Sequence, residues 1–590
     1  DLKYRFAWTF PIIFSPHDSN TIYVGGNHVF KTQDEGMSWE CISPDLSRND
    51  IEKLDFSGGP LTRDSAGAEQ YATCASVVES IHRKGELWAS TDDGLVHVSR
   101  NDGETWTDVT PKNMPEWAYI GNVEISMHDA DTVYLSATRF KLSDYKPYLF
   151  KSCDSGQTWS LISDNFPQNE ITRVIRSDIK SVGLLFVGTE TGILVSNDDG
   201  KNWERMKGKL PVVPVYDLKI KDDDLVVATH GRSFWILDDI TPLRASINEK
   251  ISLELIMPRT TIRQNIHWSA GIFNGDGKDY SPAFGVPGTS YMAESIDGKK
   301  ERKYLDTGEN PPLGAIIYYW LNDNNVGKPV KISIKDGSGA TIATCDSGND
   351  KESEKRKPTS YLGLNRFVWD LTENGPTSLD DSLKVKKYEP FSKEGGGPAG
   401  AKVKPGKYQV VVDIGGQNKN CELEVISDPR ISVTDEDFAE QHGLYGSVVA
   451  KLSELNIAVN RVRLMKQQLK NMHKIMPEEN KRIDELIASL DNVEGSLIDT
   501  KRETPRDVLR HEAGLDDTLI NLLWVIKIAD SKPPLQTKEV TEDVFGQVDS
   551  ILSKLESLIK NEITDFNELI AKASPPTISS SSVGAPKTGW

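Results

Sequence analysis

The chain has 590 residues, of which 88 are acidic and 69 basic, which gives a formal net charge of −19. At about 150 residues per domain, this length predicts three or four domains. The acidic excess argues against nucleic acid as a partner, because binding phosphates requires a basic surface. No apolar run approaches the ~20 residues of a membrane-spanning helix, so we expect no membrane span.

A polar motif ending in tryptophan recurs at residues 32–39, 99–106, 152–159 and 196–203. Its pattern is Ser or Thr, then Asp or Asn, then Gly, then a small polar residue and Trp. The short polar residue, the glycine and the tryptophan of the copies are Asp34, Gly36, Trp39, Asn101, Gly103, Trp106, Asp154, Gly156, Trp159, Asp198, Gly200 and Trp203. A polar side chain can bond the amides of its own turn, glycine allows a positive φ, and tryptophan buries a large face. We interpret the motif as a structural β-hairpin turn.

A short apolar strand precedes each motif, at residues 21–24, 86–89, 132–135 and 184–187. A fifth strand at residues 224–227 has no such motif after it. Short strands with one turn motif per repeat are typical of propeller blades. The sequence therefore predicts about five β-propeller blades over residues 1–244.

The repeat region resembles the Asp-box propellers (bacterial neuraminidase repeats) of the sortilin-like superfamily, in the large secreted type often labelled glycosyl hydrolase. Residues 14–24, 188–193 and 229–243 carry the resemblance, which continues at 308–315, 363–370 and 405–408 and so covers nearly the whole chain. It implies an extracellular or periplasmic protein of which this chain is the C-terminal part, with the signal peptide elsewhere.

Five blades alone would leave strand edges and apolar faces bare. We therefore expect a second chain, cut from the same precursor, to supply the missing N-terminal blades.

After the blades, residues 245–304 are expected to form an extended connector, and alternating apolar residues predict a β-sandwich over 305–428. This sandwich resembles immunoglobulin or fibronectin modules, which act as spacers or bind sugar. Cys345 and Cys421 lie in its strands and either pair or remain free.

From residue 434 the apolar period changes to that of a helix, with Thr434 as its N-cap. Four amphipathic segments with short joints over 434–573 predict an up-and-down four-helix bundle. The serine-rich residues 574–590 are expected to be disordered. The predicted fold class is therefore mainly β with a C-terminal all-α part.

The loop after the second strand of each repeat carries the best candidates for chemistry. Aligning the repeats gives one column of residues there: Asn27, Asp92, Thr138, Glu190 and His230. Glycosidases use two carboxylates roughly 5–10 Å apart, so Asp92 and Glu190, two blades apart, are the candidate catalytic pair. Arg139 and Arg232 lie nearby and, with Asn27 and His230, are candidate binding residues. The alternative is that polar residues simply suit these turns.

Two functions remain open at this point. The first is an extracellular protein that recognises protein, peptide or glycan, or acts in assembly. The alternative is a polysaccharide-active glycoside hydrolase with its site in the propeller cleft. The sequence leaves open whether the chain is an enzyme and favours the non-enzymatic reading, and it contains no pattern that predicts a metal or cofactor.

Overall fold

A computed structural model describes residues 3–55, 57–62, 65, 67–245, 253–264, 278–279, 290–294, 300–304, 311–349, 356–383, 398–501 and 512–573. The chain divides into two compact units, Asp1–Ser246 and Ile247–Trp590. Parts of the predicted connector, sandwich and helical bundle, and the whole predicted tail 574–590, lie outside the described residues.

The first unit consists of five antiparallel sheets that follow one another along the chain. Sheet 1 contains β1 Ile12–Phe14, β2 Ile22–Gly25, β3 Val29–Thr32 and β4 Glu40–Cys41. Sheet 2 contains β5 Cys74–Glu79, β6 Leu87–Thr91, β7 Val96–Ser99 and β8 Thr107–Asp108. Sheet 3 contains β9 Tyr119–Ile125, β10 Val133–Arg139, β11 Asp144–Ser152 and β12 Ser160–Leu161. Sheet 4 contains β13 Thr172–Ser177, β14 Leu185–Thr189, β15 Ile193–Ser196 and β16 Glu204–Arg205. Sheet 5 contains β17 Val215–Lys221, β18 Asp224–Thr229 and β19 Phe234–Leu237, and the short helix α1 Thr241–Arg244 follows it.

Consecutive sheets pack against each other through their first two strands. The first strand of each sheet contacts the first strand of the next, from β1 through β5, β9 and β13 to β17. The second strands are mostly apolar, as expected of strands whose two faces are both covered, and β6 and β14 are buried at every residue. This is the arrangement of consecutive blades in a β-propeller.

The motif turns join the third and fourth strands of sheets 1 to 4 and share one hydrogen-bond pattern. The first Ser or Thr accepts a bond from the glycine amide, at 3.0, 2.9, 2.8 and 2.9 Å in chain order. The Asp or Asn side chain accepts a bond from the amide four residues later, at 2.9, 3.0, 2.8 and 2.8 Å. The glycine of each turn has a positive φ between 84° and 92°.

The β part of the second unit has two sheets that share one apolar core. The smaller contains β20 Leu253–Ile256, β25 Ala315–Leu321 and β28 Gly363–Trp369. The larger contains β21 Thr261–Arg263, β26 Val330–Lys335, β27 Thr341–Asp346, β29 Gly406–Ile414 and β30 Gln417–Ser427. A third sheet has β22 Lys278–Asp279, β23 Ser290–Glu294 and β24 Lys300–Tyr304.

One feature of this region differs from the sequence predictions. The segment expected to be an extended connector contributes β20, whose Leu253 joins the apolar core and which pairs with β25, and β21, which pairs with β30. Cys345 and Cys421, whose pairing the sequence left open, form no disulfide with each other, since β27 and β30 are separated in the sheet by β26 and β29.

The C-terminal region is helical. Its helices are α2 Asp435–Ile475, α3 Asn480–Leu497, α4 Leu515–Lys527, α5 Leu535–Leu558 and α6 Thr564–Ala573, with a π-helical turn at Ile559–Ile563. Thr434 caps α2, accepting a bond from the amide of Asp437, whose side chain bonds back to the amide of Thr434. The prediction of a mostly β protein with a C-terminal helical region is confirmed. None of the described helices is long and apolar enough to cross a membrane.

Candidate functional site

The candidate residues lie at one end of sheets 1 to 5, where the loop after each second strand meets the start of the first strand. The amide of Asp92 donates to the carbonyl of Thr73, and the amide of Glu190 to that of Ile171, each at 3.0 Å. The amide of His230 donates to the carbonyl of Pro214 at 2.9 Å. Each of these loops is therefore fixed to the start of its own sheet.

Asp92 is half-buried and accepts hydrogen bonds from the amide of Thr73 at 2.9 Å and from its hydroxyl at 3.4 Å. Burial, and then the charge of the neighbouring Asp93, raise the pKa of Asp92 to about 7, although the Thr73 bonds act in the opposite direction. Asp92 therefore holds a proton over part of the neutral pH range, which an ordinary aspartate does not.

Tyr119 lies at the start of the first strand of sheet 3, and its pKa is affected by charges on the sheets before and after it. Burial, and then the charge of Asp92, raise the pKa of the Tyr119 phenol, whereas a hydrogen bond with Thr9 and the charge of Arg173 lower it. The charges of Asp92 and Arg173 thus both affect the pKa of the Tyr119 phenol, although these two residues belong to sheets 2 and 4.

Glu190 is held by Arg173, which begins the first strand of its own sheet. Both Nε and Nη2 of Arg173 donate to Glu190 Oε2, at 3.1 and 2.6 Å. The Glu190 side chain keeps 37% of its surface exposed, whereas that of Arg173 is 11% exposed. The second candidate carboxylate is thus ion-paired and still open to solvent.

Arg173 also lies between two aromatic rings. Its guanidinium carbon is 4.7 Å from the ring centroid of Phe140 and 4.7 Å from that of Tyr216. The Tyr216 ring is 47% exposed and packs against the His230 ring at a centroid distance of 4.7 Å. Sheets 3, 4 and 5 together form a stack of flat groups beside Glu190.

The other residues of the predicted column do not join this cluster through any bond among the described residues. Asn27 is buried, accepts from the amide of Arg5 at 3.0 Å and donates to Asp45 at 2.9 Å, so it fixes a loop of sheet 1. Thr138 is buried, and its hydroxyl lacks a hydrogen-bond partner within the described part of the chain.

The two arginines predicted to bind a ligand have different surroundings. Arg139 donates to the carbonyl of Glu116 at 2.8 Å and is ion-paired with Asp144 at 3.6 Å. Arg232 is exposed, and its backbone carries the bonds that close its turn, accepting from the Trp235 indole at 2.8 Å. Arg139 therefore orders its loop, and the Arg232 side chain extends into solvent.

Sequence reasoning missed Tyr119, Phe140, Arg173 and Tyr216. Three of them begin the first strand of a repeat, a column that the alignment of the second-strand loops did not include. Aligning the first strands as well would have placed Arg173 and Tyr216 together, each the second residue of its strand, with Tyr119 one position earlier. Within the described residues there is no group of three or more His, Cys, Asp or Glu arranged to hold a metal ion.

No protein-family model matches the chain. Two curated proteins are similar over a limited stretch. The "Probable oligoxyloglucan-reducing end-specific xyloglucanase" of Neosartorya fischeri is 25% identical over 176 residues, which is 26% of this chain and 21% of that protein. The "Oligoxyloglucan-reducing end-specific xyloglucanase" of Emericella nidulans is 24% identical over 115 residues, or 19% of this chain and 14% of that protein. The chain thus spans about a fifth or less of the length of the curated relatives it matches.

Solved structures that are similar include the GH74 xyloglucanase from Xanthomonas campestris, at a TM-score of 0.32 and 12% identity, covering 71% of this chain and 80% of that one. The β-propeller domain of Cps50 from Myceliophteria thermophila aligns at a TM-score of 0.29 and 11% identity, covering 60% of this chain and 90% of that one. YCF48 from Cyanidioschyzon merolae aligns at 0.24 and 15% identity, covering 44% and 91%. TM-scores this low do not by themselves establish a common fold.

Proposed function

We propose that the cluster around Asp92 and Glu190 binds carbohydrate and hydrolyses a glycosidic bond in a polysaccharide or oligosaccharide. The observation that carries this proposal is that two unlike carboxyl groups lie at the same end of the sheets, in loops two sheets apart. Asp92 holds a proton near neutral pH and can donate it to a leaving oxygen, whereas Glu190 is ion-paired and solvent-accessible. An acid and a carboxylate kept in different states are what glycoside hydrolysis requires.

The aromatic stack beside Glu190 supports carbohydrate as the ligand. Sugars present flat apolar faces and rims of hydroxyl groups, and both are matched by exposed rings next to charged side chains. Tyr216 offers a half-exposed aromatic ring, and the Arg173 guanidinium and the Glu190 carboxylate offer a donor and an acceptor. The partial similarity to two xyloglucanases makes xyloglucan oligosaccharides the first substrates to test.

Recognition without hydrolysis is the second candidate function, and one observation favours it. Both carboxylates already have partners within their own sheets, Asp92 with Thr73 and Glu190 with Arg173. In that case the same cluster binds a glycan or a peptide, and Asp92 serves to fix its loop.

The proposal also includes the fold type of each part of the chain. We infer an Asp-box propeller of the sortilin-like type from the common turn geometry, an immunoglobulin-like sandwich from the two sheets with one core, and a four-helix up-and-down bundle from α2 to α5. Action on polysaccharides places the protein outside the cell or in the periplasm.

The decisive experiment measures new reducing ends when the full chain is incubated with xyloglucan oligosaccharides. We expect Asp92→Asn to lower kcat by about 10²–10⁴-fold, because it removes the general acid but keeps the oxygen that accepts from Thr73. Glu104→Gln, at an exposed position in the second motif turn, is the matched control and should retain full activity.

Binding measured in parallel separates the two functions. Under hydrolysis, Asp92→Asn still binds the oligosaccharide, and Tyr216→Ala weakens binding. Binding by the wild type without any release of reducing ends would reject hydrolysis and leave recognition. If the wild type neither binds nor cleaves any glycan of a broad panel, the carbohydrate proposal is wrong.

A further inference from the structure

Part of one face of sheet 1 is exposed among the described residues, although the equivalent face of the following sheets is buried. On this face Tyr4 and Phe6 cover Phe30 but leave Ile12 and Phe14 exposed. Ile12 of β1 lies opposite the third residue of β2. Val77, Val123 and Ile175 occupy the equivalent position in sheets 2, 3 and 4, since each lies opposite the third residue of the second strand of its sheet. Ile12 is 59% exposed, whereas these three equivalents are 3%, 1% and 0% exposed. Phe14, on the same face of β1, is 66% exposed.

The tryptophans of the motif turns show what covers this face elsewhere. In sheets 2, 3 and 4 the indole N–H donates to a carbonyl just after the fourth strand of the preceding sheet. These bonds run from Trp106 to Ile42 at 2.9 Å, from Trp159 to Val109 at 2.7 Å and from Trp203 to Ile162 at 2.8 Å. Trp39 of sheet 1 is 46% exposed, and no sheet within the described residues precedes it to offer such a carbonyl.

The type of residue before the turn glycine corresponds to the side chains that the preceding sheet presents to it. In sheets 2 and 4 it is Asp102 and Asp199, each held by a lysine and a tyrosine that form a cross-strand pair. Lys31 is ion-paired with Asp102 at 2.6 Å and Lys151 with Asp199, and the tyrosine hydroxyls donate to the same two carboxylates.

The turn of sheet 3 gives the contrast. Its residue at this position is Ser155, and the matching cross-strand pair of sheet 2 is Trp88 with Val98, which has no charge. Where the preceding sheet presents a Lys–Tyr pair, the turn therefore has an acidic residue at this position. Where the preceding sheet presents an apolar pair, the turn has a serine. Sheet 1 has Glu35 at this position, exposed and with the same positive φ of 58°.

We propose that the open face, formed by Ile12, Phe14, Glu35 and Trp39, binds a further four-stranded sheet of the same repeat, on polypeptide other than these 590 residues. That sheet presents a Lys–Tyr cross-strand pair to Glu35 and a carbonyl after its fourth strand to the indole N–H of Trp39.

A second copy of this chain does not fit that description. The sheet such a copy could offer is sheet 5, in which the matching cross-strand pair is Val226 with Ile236 and the described residues form three strands. The docking partner is therefore a different sheet with a basic residue.

The test supplies such a sheet to the full chain. A second copy of residues 119–171, which contain sheet 3 and its connection to the next sheet, is joined directly before Thr9. The native residues 119–171 stay in place in the same chain. The copied Lys151 and Tyr134 then stand where the proposal requires a Lys–Tyr pair. Hydroxyl-radical footprinting read by mass spectrometry measures the oxidation rate of Trp39, which we expect to fall about threefold or more, to the rate of Trp106.

A zero-length carbodiimide cross-link provides the second measurement. It joins a carboxylate and an amine in direct contact as an amide with loss of water, so it should join Glu35 to the copied Lys151. The native pairs Lys31–Asp102 and Lys151–Asp199 are internal controls that report whether the unit is folded. Native cross-links without the Glu35 cross-link, or an unchanged Trp39 oxidation rate, overturn the proposal.

Two further chimaeras test the specificity. One carries Lys151→Met in the copied sheet, and the other joins residues 73–118, with the apolar Trp88–Val98 pair, to the N-terminal side of Thr9. Both should protect Trp39 less than the parent chimaera, and equal protection would reject the Lys–Tyr requirement. Self-association of the wild-type chain in sedimentation, lost in Trp39→Ala, would show a second copy on this face and overturn the proposal.

Discussion

The two ends of the sheets in the first unit are built in opposite ways. At the end with the motif turns, four sheets repeat the same hydrogen bonds to within 0.2 Å. At the other end, the corresponding residues differ in every sheet, from buried Asn27 to exposed His230. The constant end holds neighbouring sheets together, and because it does so, the variable end is free to carry different side chains and hence chemistry.

The contacts at the two ends also differ in range. The short polar side chains of each turn bond amides four residues away and only its indole reaches the preceding sheet, whereas the loop cluster joins Asp92, Tyr119, Arg173 and Tyr216 from four successive sheets. A substitution at the constant end should therefore act on stability, and one at the variable end on protonation and binding.

The largest effect on stability is expected from adding a methyl group at a turn glycine that touches its neighbour. A Cβ on Gly156 would lie 2.9 Å from the Trp88 ring, and φ there is +84°. We expect Gly156→Ala to cost about 3 kcal/mol, from the positive φ and the overlap together. Gly36→Ala is the matched control: its φ is +86°, but the nearest atom lies 3.6 Å away on its own Trp39.

Gly36→Ala should therefore cost only about 1 kcal/mol, the strain of the positive φ alone. Urea unfolding of the first unit measures both variants. Equal losses would show that the turns do not act through the preceding sheet, and the constant end would then not be what holds neighbouring sheets together.

A smaller effect is expected from the pH dependence of Asp92. Because its native pKa is raised, protonated Asp92 favours the folded state; that contribution is complete below about pH 4 and is lost as the pH rises through about 7. The rise from the ordinary 3.8 to about 7 sets an upper bound of about 4 kcal/mol, and we expect about 2 kcal/mol for this half-buried group.

Asp92→Asn does not titrate, so its stability relative to the wild type should increase from pH 4 to pH 7 and then stay level. Thermal unfolding at several pH values measures this difference, with Glu104→Gln as the control that shows no trend. A flat difference for Asp92→Asn would mean that Asp92 titrates as an ordinary aspartate, and it would remove the main support for its role as an acid.

The smallest effect is expected from removing one indole hydrogen bond. Trp203→Phe loses the bond to the carbonyl of Ile162 and should cost about 1 kcal/mol beyond the smaller ring, whereas Trp39→Phe loses no such bond to any described residue. Chemical denaturation compares the two variants. A larger loss for Trp39→Phe would show that the face of sheet 1 is already covered in the isolated chain.

Much of the fold could be predicted from local sequence. The second strands, the motif turns and the Thr434 cap all depend on side chains within a few residues of one another. The pairing of β20 and β21 was missed, because these strands gain their stability from partners about 65 to 165 residues away. For the candidate site, the sequence proposed Asp92, Glu190 and His230, but it did not propose Arg173 and Tyr216, which contact Glu190 and His230.

The sequence by itself determined the repeat, because each motif turn satisfies its own backbone with its own side chains. It also determined the change from β structure to helix at Thr434. Only the tertiary structure decided which carboxyl group is buried, which is ion-paired and which face of sheet 1 is left uncovered. Burial, ion pairing and exposure depend on the neighbouring sheets, and the local sequence does not specify how those sheets pack.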